Sequence, residues 1–151
     1  MTSRSELIAM GRGIVTERLR QLGCTVREPD HPGHGKLEVR TPSGRAVEVR
    51  VSTQRVGGYA FWEKRRLELA ENRLVALVVL GDAKDPHGHA EDQHVFLVPT
   101  TEWRTASPPF TDRDNVGTRS DPEYGVSLAR SWLGELERFS WERSPAKQQL
   151  R

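Results

Sequence analysis

Gly35-Lys36-Leu37-Glu38-Val39-Arg40-Thr41-Pro42-Ser43-Gly44-Arg45-Ala46-Val47-Glu48-Val49-Arg50-Val51-Ser52-Thr53 is the stretch whose reading decides the fold. It alternates apolar and polar residues on both sides of a Pro-Ser-Gly turn, the signature of two half-buried strands in a hairpin. Leu37 and Val39 share one face of the first strand, with Lys36, Glu38 and Arg40 on the other. On the second strand Val47, Val49 and Val51 share a face, and Glu48, Arg50 and Ser52 oppose them. Successive strand side chains point to opposite faces, so pairing lays two ionic rows side by side over an apolar floor.

Working outward, Ser5 to Leu22 carries apolar residues near helical spacing, with Gly23 placed to end the helix. Gly11 and Gly13 weaken its middle. Cys24–Arg27 reads as a short strand, and residues 28–35 as a loop rich in Pro, Gly and His. Downstream, Gly57-Gly58 marks a loop, and Phe61 to Asn72 shows a helix-like pattern through Trp62, Leu67, Leu69 and Ala70. Leu74 to Leu80 is apolar on both faces, as a fully buried strand is, and His94–Val98 follows as another. Thr101–Thr105 is expected as a short helix, residues 106–124 as an irregular segment, residues 125–142 as an amphipathic C-terminal helix, and 143–151 as a frayed tail. The expectation is one α/β domain over 1–151. Its mixed central sheet has a helix-strand-strand-strand-helix-strand core, followed by the C-terminal helix.

The 151 residues suffice for one domain with a real core. Charge is unevenly spread. Residues 1–66 hold 13 Lys and Arg against 7 Asp and Glu, while residues 67–151 hold 10 against 14. The hairpin thus lies in a half of net charge +6, which suits a polyanion partner such as DNA. The excess of 19 Arg over 4 Lys is equally what a compositional bias produces. A lone cysteine, Cys24, makes no internal disulfide and suits a reducing compartment. No apolar run approaches a membrane span, so the expected location is the cytoplasm with no membrane association.

The order of elements, with Glu48-Val49-Arg50 on the third strand, resembles the PD-(D/E)xK nuclease-like superfamily, whose members share a restriction endonuclease-like fold. The resemblance spans roughly residues 5–100 and rests more on topology than on motif. It implies an acidic-x-basic site on the third strand at Glu48 and Arg50, with Ser52-Thr53 as the small polar pair after it. The family's metal-binding Asp falls on Lys36, and Glu17 on the first helix matches an extra acidic residue of some members. Were the site active, Glu48 and Glu38 would hold Mg²⁺ or Mn²⁺, with Glu17 as a third carboxylate and Arg50 stabilising charge on the phosphate.

The departures point to a degenerate or weak site. Lys36 puts an ammonium where a dication belongs, and unit charges ~4 Å apart repel by about 1 kcal/mol even in water. Arg50 keeps the charge of the family's Lys but does not give up its proton. The alternative is a structural ion network of Lys36, Arg40 and Arg50 with Glu38 and Glu48, each exposed pair being worth ~0–1 kcal/mol. Function divides accordingly between a nuclease-like domain that binds or acts on nucleic acid, in defence or DNA processing, and an interaction module that kept only the fold.

Nucleic-acid contacts are expected from Lys36 and Arg40 on the sheet face. A second set, Arg55, Tyr59, Trp62, Lys64, Arg65 and Arg66, interleaves stacking and phosphate-binding side chains. Two His-containing loops, Asp30-His31 with His34 and Asp85 to His94, carry metal-ligand residue types without a dedicated spacing. His34 also lies close enough to Lys36 in sequence to reach the polar sheet face. On the last helix Trp132 reads as core. Trp141 reads as an interface residue, the basis for expecting a homodimer or protein partner there.

Overall fold

The computed structural model describes residues 3–28, 35–81 and 93–151. Helix α1 spans Arg4–Gln21, and the Ser3 hydroxyl caps it by accepting from the Glu6 amide at 3.2 Å. Such a cap satisfies one of the orphan donors of a first turn. Gly23, at φ +87°, ends the helix as its spacing predicts.

The hairpin forms as β2 (Lys36–Arg40) and β3 (Ala46–Arg55), after β1 (Thr25–Arg27). Gly44 at φ +90° closes the turn, its amide donating to the Thr41 carbonyl. Register pairs Lys36 with Arg50, Leu37 with Val49 and Glu38 with Glu48. Strand β4 (Tyr59–Glu63) leaves this sheet; β5 (Arg73–Leu80) returns to pair parallel with β3, and β6 (His94–Pro99) adds antiparallel to β5. The five-stranded order is β1-β2-β3-β5-β6. The meander and the crossover strand match the expectation.

The two faces of this sheet have different fates. On one, Leu37, Val39, Val47, Val49, Leu74, Ala76 and Val78 pack beneath Val15 and Leu19 of α1. Gly11 lets the helix sit close: a Cβ there would lie 1.7 Å from the Thr53 hydroxyl. On the other face Val75, Leu77 and Val79 of β5 meet a second apolar cluster built around Trp103 and Phe110. Edge-to-face contacts run from Trp62 to Trp103, on to Phe110 and then Phe139. Such pairs add about 0.5–1.5 kcal/mol each beyond their buried area. This second layer takes in β5 and β6, and the polar row of β2 and β3 is no part of it.

The second layer is where the structure departs from the sequence-based expectation. Residues 61–72 do not form the crossover helix. Tyr59–Glu63 is β4, followed by a 3-10 turn at Lys64–Arg66, and β4 belongs to a three-stranded sheet of order β4-β8-β7. Strand β7 (Phe110–Arg113) lies inside the segment expected to be irregular. In place of a helix over 125–142 there is β8 (Glu123–Ser127), a 3-10 turn, and a single turn of helix α2 (Leu133–Leu136). The short helix expected at Thr101–Thr105 does form, as a 3-10 helix over Thr100–Thr105.

Residues 143–151 are not frayed either. Pro145–Leu150 forms a 3-10 helix capped by Ser144, and Ala146, Leu150 and Trp141 are buried in the α1-side core. Trp141, read from the sequence as an interface residue, is buried in this core, and Trp132, read as core, is only partly buried. The result is a single mixed α/β domain whose second layer is largely strand. No described helix is long and apolar enough to cross a membrane.

Candidate nucleic-acid interface

Glu48 sits where the two ionic rows meet β5, and it is only 8% exposed. Parallel register sets Arg73 opposite it, antiparallel register sets Glu38 opposite it, and Lys36 lies one side-chain repeat away. A buried carboxylate requires compensating charge. Three cations supply it: Lys36 Nζ at 2.8 Å from Oε1, and Arg50 Nε and Arg73 Nε each at 3.6 Å from Oε2. Glu38 is turned the other way, accepting from Arg27 Nε at 2.9 Å and Nη2 at 2.5 Å.

These residues do not fit a divalent cation. Both oxygens of Glu48 face cationic side chains, the Lys36 ammonium at 2.8 Å being the nearest. Glu38 is adjacent across the strands but already bound by Arg27. Glu17 does not join them. It lies on α1, which packs on the opposite face of the sheet, and it lines a depression with Met10, Gln21 and Trp141. Among the described residues no cluster of three or more His, Cys, Asp or Glu is arranged to hold a metal. His31, His34, His87 and His89 lie outside the described residues, whereas the His94 ring lies nearly parallel to Phe96, 6.4 Å away.

Arg50 links this ion cluster to a larger feature. A cleft of about 620 Å³ runs along the second half of β3, between the N-terminal turn of α1 and β4. Arg4, Arg50, Arg55 and Arg66 line it against one carboxylate, Glu63. Its lining is mixed: Ser52, Thr53 and Gln54 of β3 share it with apolar Leu7, Ile8, Val51 and Val56, and with Phe61. Arg50 Nε is buried without a hydrogen-bond partner. It faces the Glu48 carboxylate at 3.6 Å as an ion pair, and the guanidinium groups that line the cleft match a phosphate through their planar fork.

Of the residues expected to contact nucleic acid, Arg55, Trp62 and Arg66 reach this cleft. Trp62 does so with little to offer a ligand, because its ring packs edge-on against Trp103. Lys36 and Arg40 line a separate depression of about 500 Å³ over β1 to β3, where Lys36 is tied to Glu48 and Arg40 donates to the Gly44 carbonyl. Lys64 is taken up by Asp112 and Asp114, whose hydrogen bonds hold its ammonium well above the usual lysine range. Arg65 pairs with Glu63 at 2.7 Å, and that hydrogen bond holds the Glu63 carboxyl below its ordinary value. Tyr59 lies on the outer face of the second sheet, donating to Glu123 at 3.0 Å and hydrogen-bonded to Thr111.

The structure adds residues that the sequence-based reading misses. Arg73 completes the Glu48 cage, and Arg4 closes one end of the cleft. Neither is visible from local pattern, since parallel register places the first and helix packing the second. Phe61 had a signal, the alternation of Tyr59 and Phe61 against Ala60 and Trp62, which a helical reading of the segment obscures. Comparison of the chain with protein-family models, with curated proteins and with solved structures finds no match.

Proposed function

We propose that this chain is a nuclease-like domain that binds nucleic acid through the β3 cleft and does not use metal-dependent cleavage. The observation that carries the reading is that Arg4, Arg50, Arg55 and Arg66 line one cleft in which Glu63 is the single carboxylate. Phosphate contacts by Lys and Arg supply most sequence-independent nucleic-acid affinity. The caged Glu48 supports the other half of the proposal, because a carboxylate facing three cations is a poor ligand for Mg²⁺ or Mn²⁺. Its role here is to hold Arg50 and Arg73 in place.

The test is a titration of a fluorescent oligonucleotide at several salt concentrations, beside a plasmid-nicking assay with Mn²⁺. Affinity should fall steeply with salt, with a logarithmic slope near −0.7 to −0.9 per phosphate contacted. Absence of binding even at low salt overturns the nucleic-acid reading. Nicking abolished both by EDTA and by Glu48→Ala overturns the non-catalytic one.

A further inference from the structure

The outer face of the β4-β8-β7 sheet carries an aromatic surface that neither the ion cluster nor the core uses. Phe61, in the middle of β4, is 58% exposed. Register places it opposite Gly125 on β8, which stands opposite Thr111 on β7. Tyr59, two residues earlier on the same face, lies across Gly125. A Cβ at that position would come within 2.0 Å of the Tyr59 hydroxyl.

The Tyr59 ring is fixed at its far end by Thr111 and Glu123, and the Arg113 guanidinium lies 5.2 Å from its centroid. Phe61 lies within 20° of parallel to it, with centroids 6.1 Å apart. The glycine, the two hydroxyl contacts and the cation together hold one aromatic ring in place and leave its neighbour open to solvent. Phe61 is also a lining residue of the arginine cleft.

We infer that Phe61 is a stacking platform for an unpaired base, so that the preferred ligand of the cleft is single-stranded nucleic acid. The inference rests on the cleft binding nucleic acid, as proposed above, and names which kind. An aromatic face beside a basic groove takes a base and its flanking phosphates together. A duplex keeps its base faces stacked inside and offers Phe61 nothing to cover. Charge complementarity sets the choice of occupant, because the cleft that Phe61 lines carries Arg4, Arg50, Arg55 and Arg66 against Glu63 alone, which pairs with Arg66 at 3.2 Å.

The test compares three fluorescent probes at one low salt concentration: oligo-dT, an abasic strand of equal length, and a duplex. Each is titrated against the native protein and against Phe61→Ala and Phe61→Trp. Losing one stacked base should weaken oligo-dT binding by roughly 5- to 150-fold in Phe61→Ala. Phe61→Trp should restore it, and the abasic strand should bind both variants like the native protein. Because Phe61 is exposed, the alanine variant should fold, which circular dichroism checks. If oligo-dT and the abasic strand bind equally and Phe61→Ala changes nothing, the stacking inference is wrong while the phosphate-binding reading stands. An equal loss on the duplex likewise overturns it. Failure of all three probes to bind overturns both.

Discussion

Arg73, the first residue of β5, stands directly opposite Glu48 in the parallel register of β3 and β5, its Nε 3.6 Å from the carboxylate. Beyond that pair the same row on β5 turns apolar, through Val75, Leu77 and Val79. Arg73 is therefore the boundary post between the ionic half of the sheet face and the half that joins the second core cluster. Glu48, more than nine-tenths buried, is the anion on which Lys36, Arg50 and Arg73 converge.

Glu48→Gln keeps the shape of the side chain and removes its charge, leaving three cations facing one another. Removing one member of a fully buried pair costs about 3–5 kcal/mol. Lys36 is 39% exposed here, so solvent screens part of the effect. The expected loss is about 1–2 kcal/mol, read as a lower urea midpoint and reduced by added salt. Nucleic-acid affinity should rise in the same variant, since the basic surface has lost an anion. A metal ligand would behave in the opposite way, and a fall in affinity that appears only with Mg²⁺ or Mn²⁺ present would refute this account of Glu48.

Gly11→Ala tests how closely α1 is seated on β3. The exchange gains about 1 kcal/mol in helix propensity but places a methyl 1.7 Å from Thr53 Oγ1. Overpacking of this kind costs about 1–3 kcal/mol, so the clash should win and the variant should melt earlier. Adding Thr53→Ala removes the hydroxyl and should recover part of the loss. The two substitutions would then be coupled rather than additive in a double-mutant cycle. Additive behaviour would mean that the helix sits farther away than the geometry shows.

How much of this was legible beforehand differs by region. The hairpin and the buried β5 could be read from clean patterns, a period of two and an unbroken apolar run, and α1 from apolar residues near helical spacing, among them the buried Val15 and Leu19, with Gly23 at its end. The second layer could not. In residues 61–72 the apolar positions Trp62, Leu67, Leu69 and Ala70 imitate a helical face, although only Trp62 belongs to a strand and the others pack from irregular backbone. At the C-terminus, Val126, Leu128, Leu136 and Phe139 all reach one core from strand, turn and helix in succession. Burial fixes where these side chains go and leaves the backbone between them open. The site divides in the same way. The Lys36–Glu48–Arg50 group follows from local alternation, whereas Arg73 and Arg4 arrive through tertiary pairing that no short window contains.

The C-terminal turn closes the α1-side core. Leu150 is 1% exposed, and its carbonyl accepts from Cys24 Sγ at 3.4 Å. Leu150→Ala should cost about 2–5 kcal/mol, the range for a fully buried leucine. Burial pushes the Cys24 thiol above its ordinary pKa, so it should react slowly with a disulfide reagent at mildly alkaline pH. Loosening the turn should speed that reaction. A native reaction rate matching that of the unfolded chain would show that the turn is undocked.

The outer aromatic pair gives a pH prediction with a definite sign. Burial is the main cause of the raised Tyr59 pKa; the Glu123 carboxylate, which accepts its proton, adds to it, while Thr111 and Arg113 oppose it. A phenol whose folded pKa lies above its unfolded value binds its proton more tightly in the native state. Its contribution to stability is therefore complete below the unfolded value near 10 and is lost as pH rises through the folded value. The protein contains two tyrosines, Tyr59 and Tyr124. Ultraviolet titration of a Tyr124→Phe background, which leaves Tyr59 alone, should show its phenol ionising later than an ordinary tyrosine. Glu123→Gln should bring that ionisation down without fully normalising it, because burial remains. An unchanged titration in Glu123→Gln would mean that the hydrogen bond holding the Tyr59 ring does not form in solution, and the fixed neighbour invoked for Phe61 would lose one of its supports.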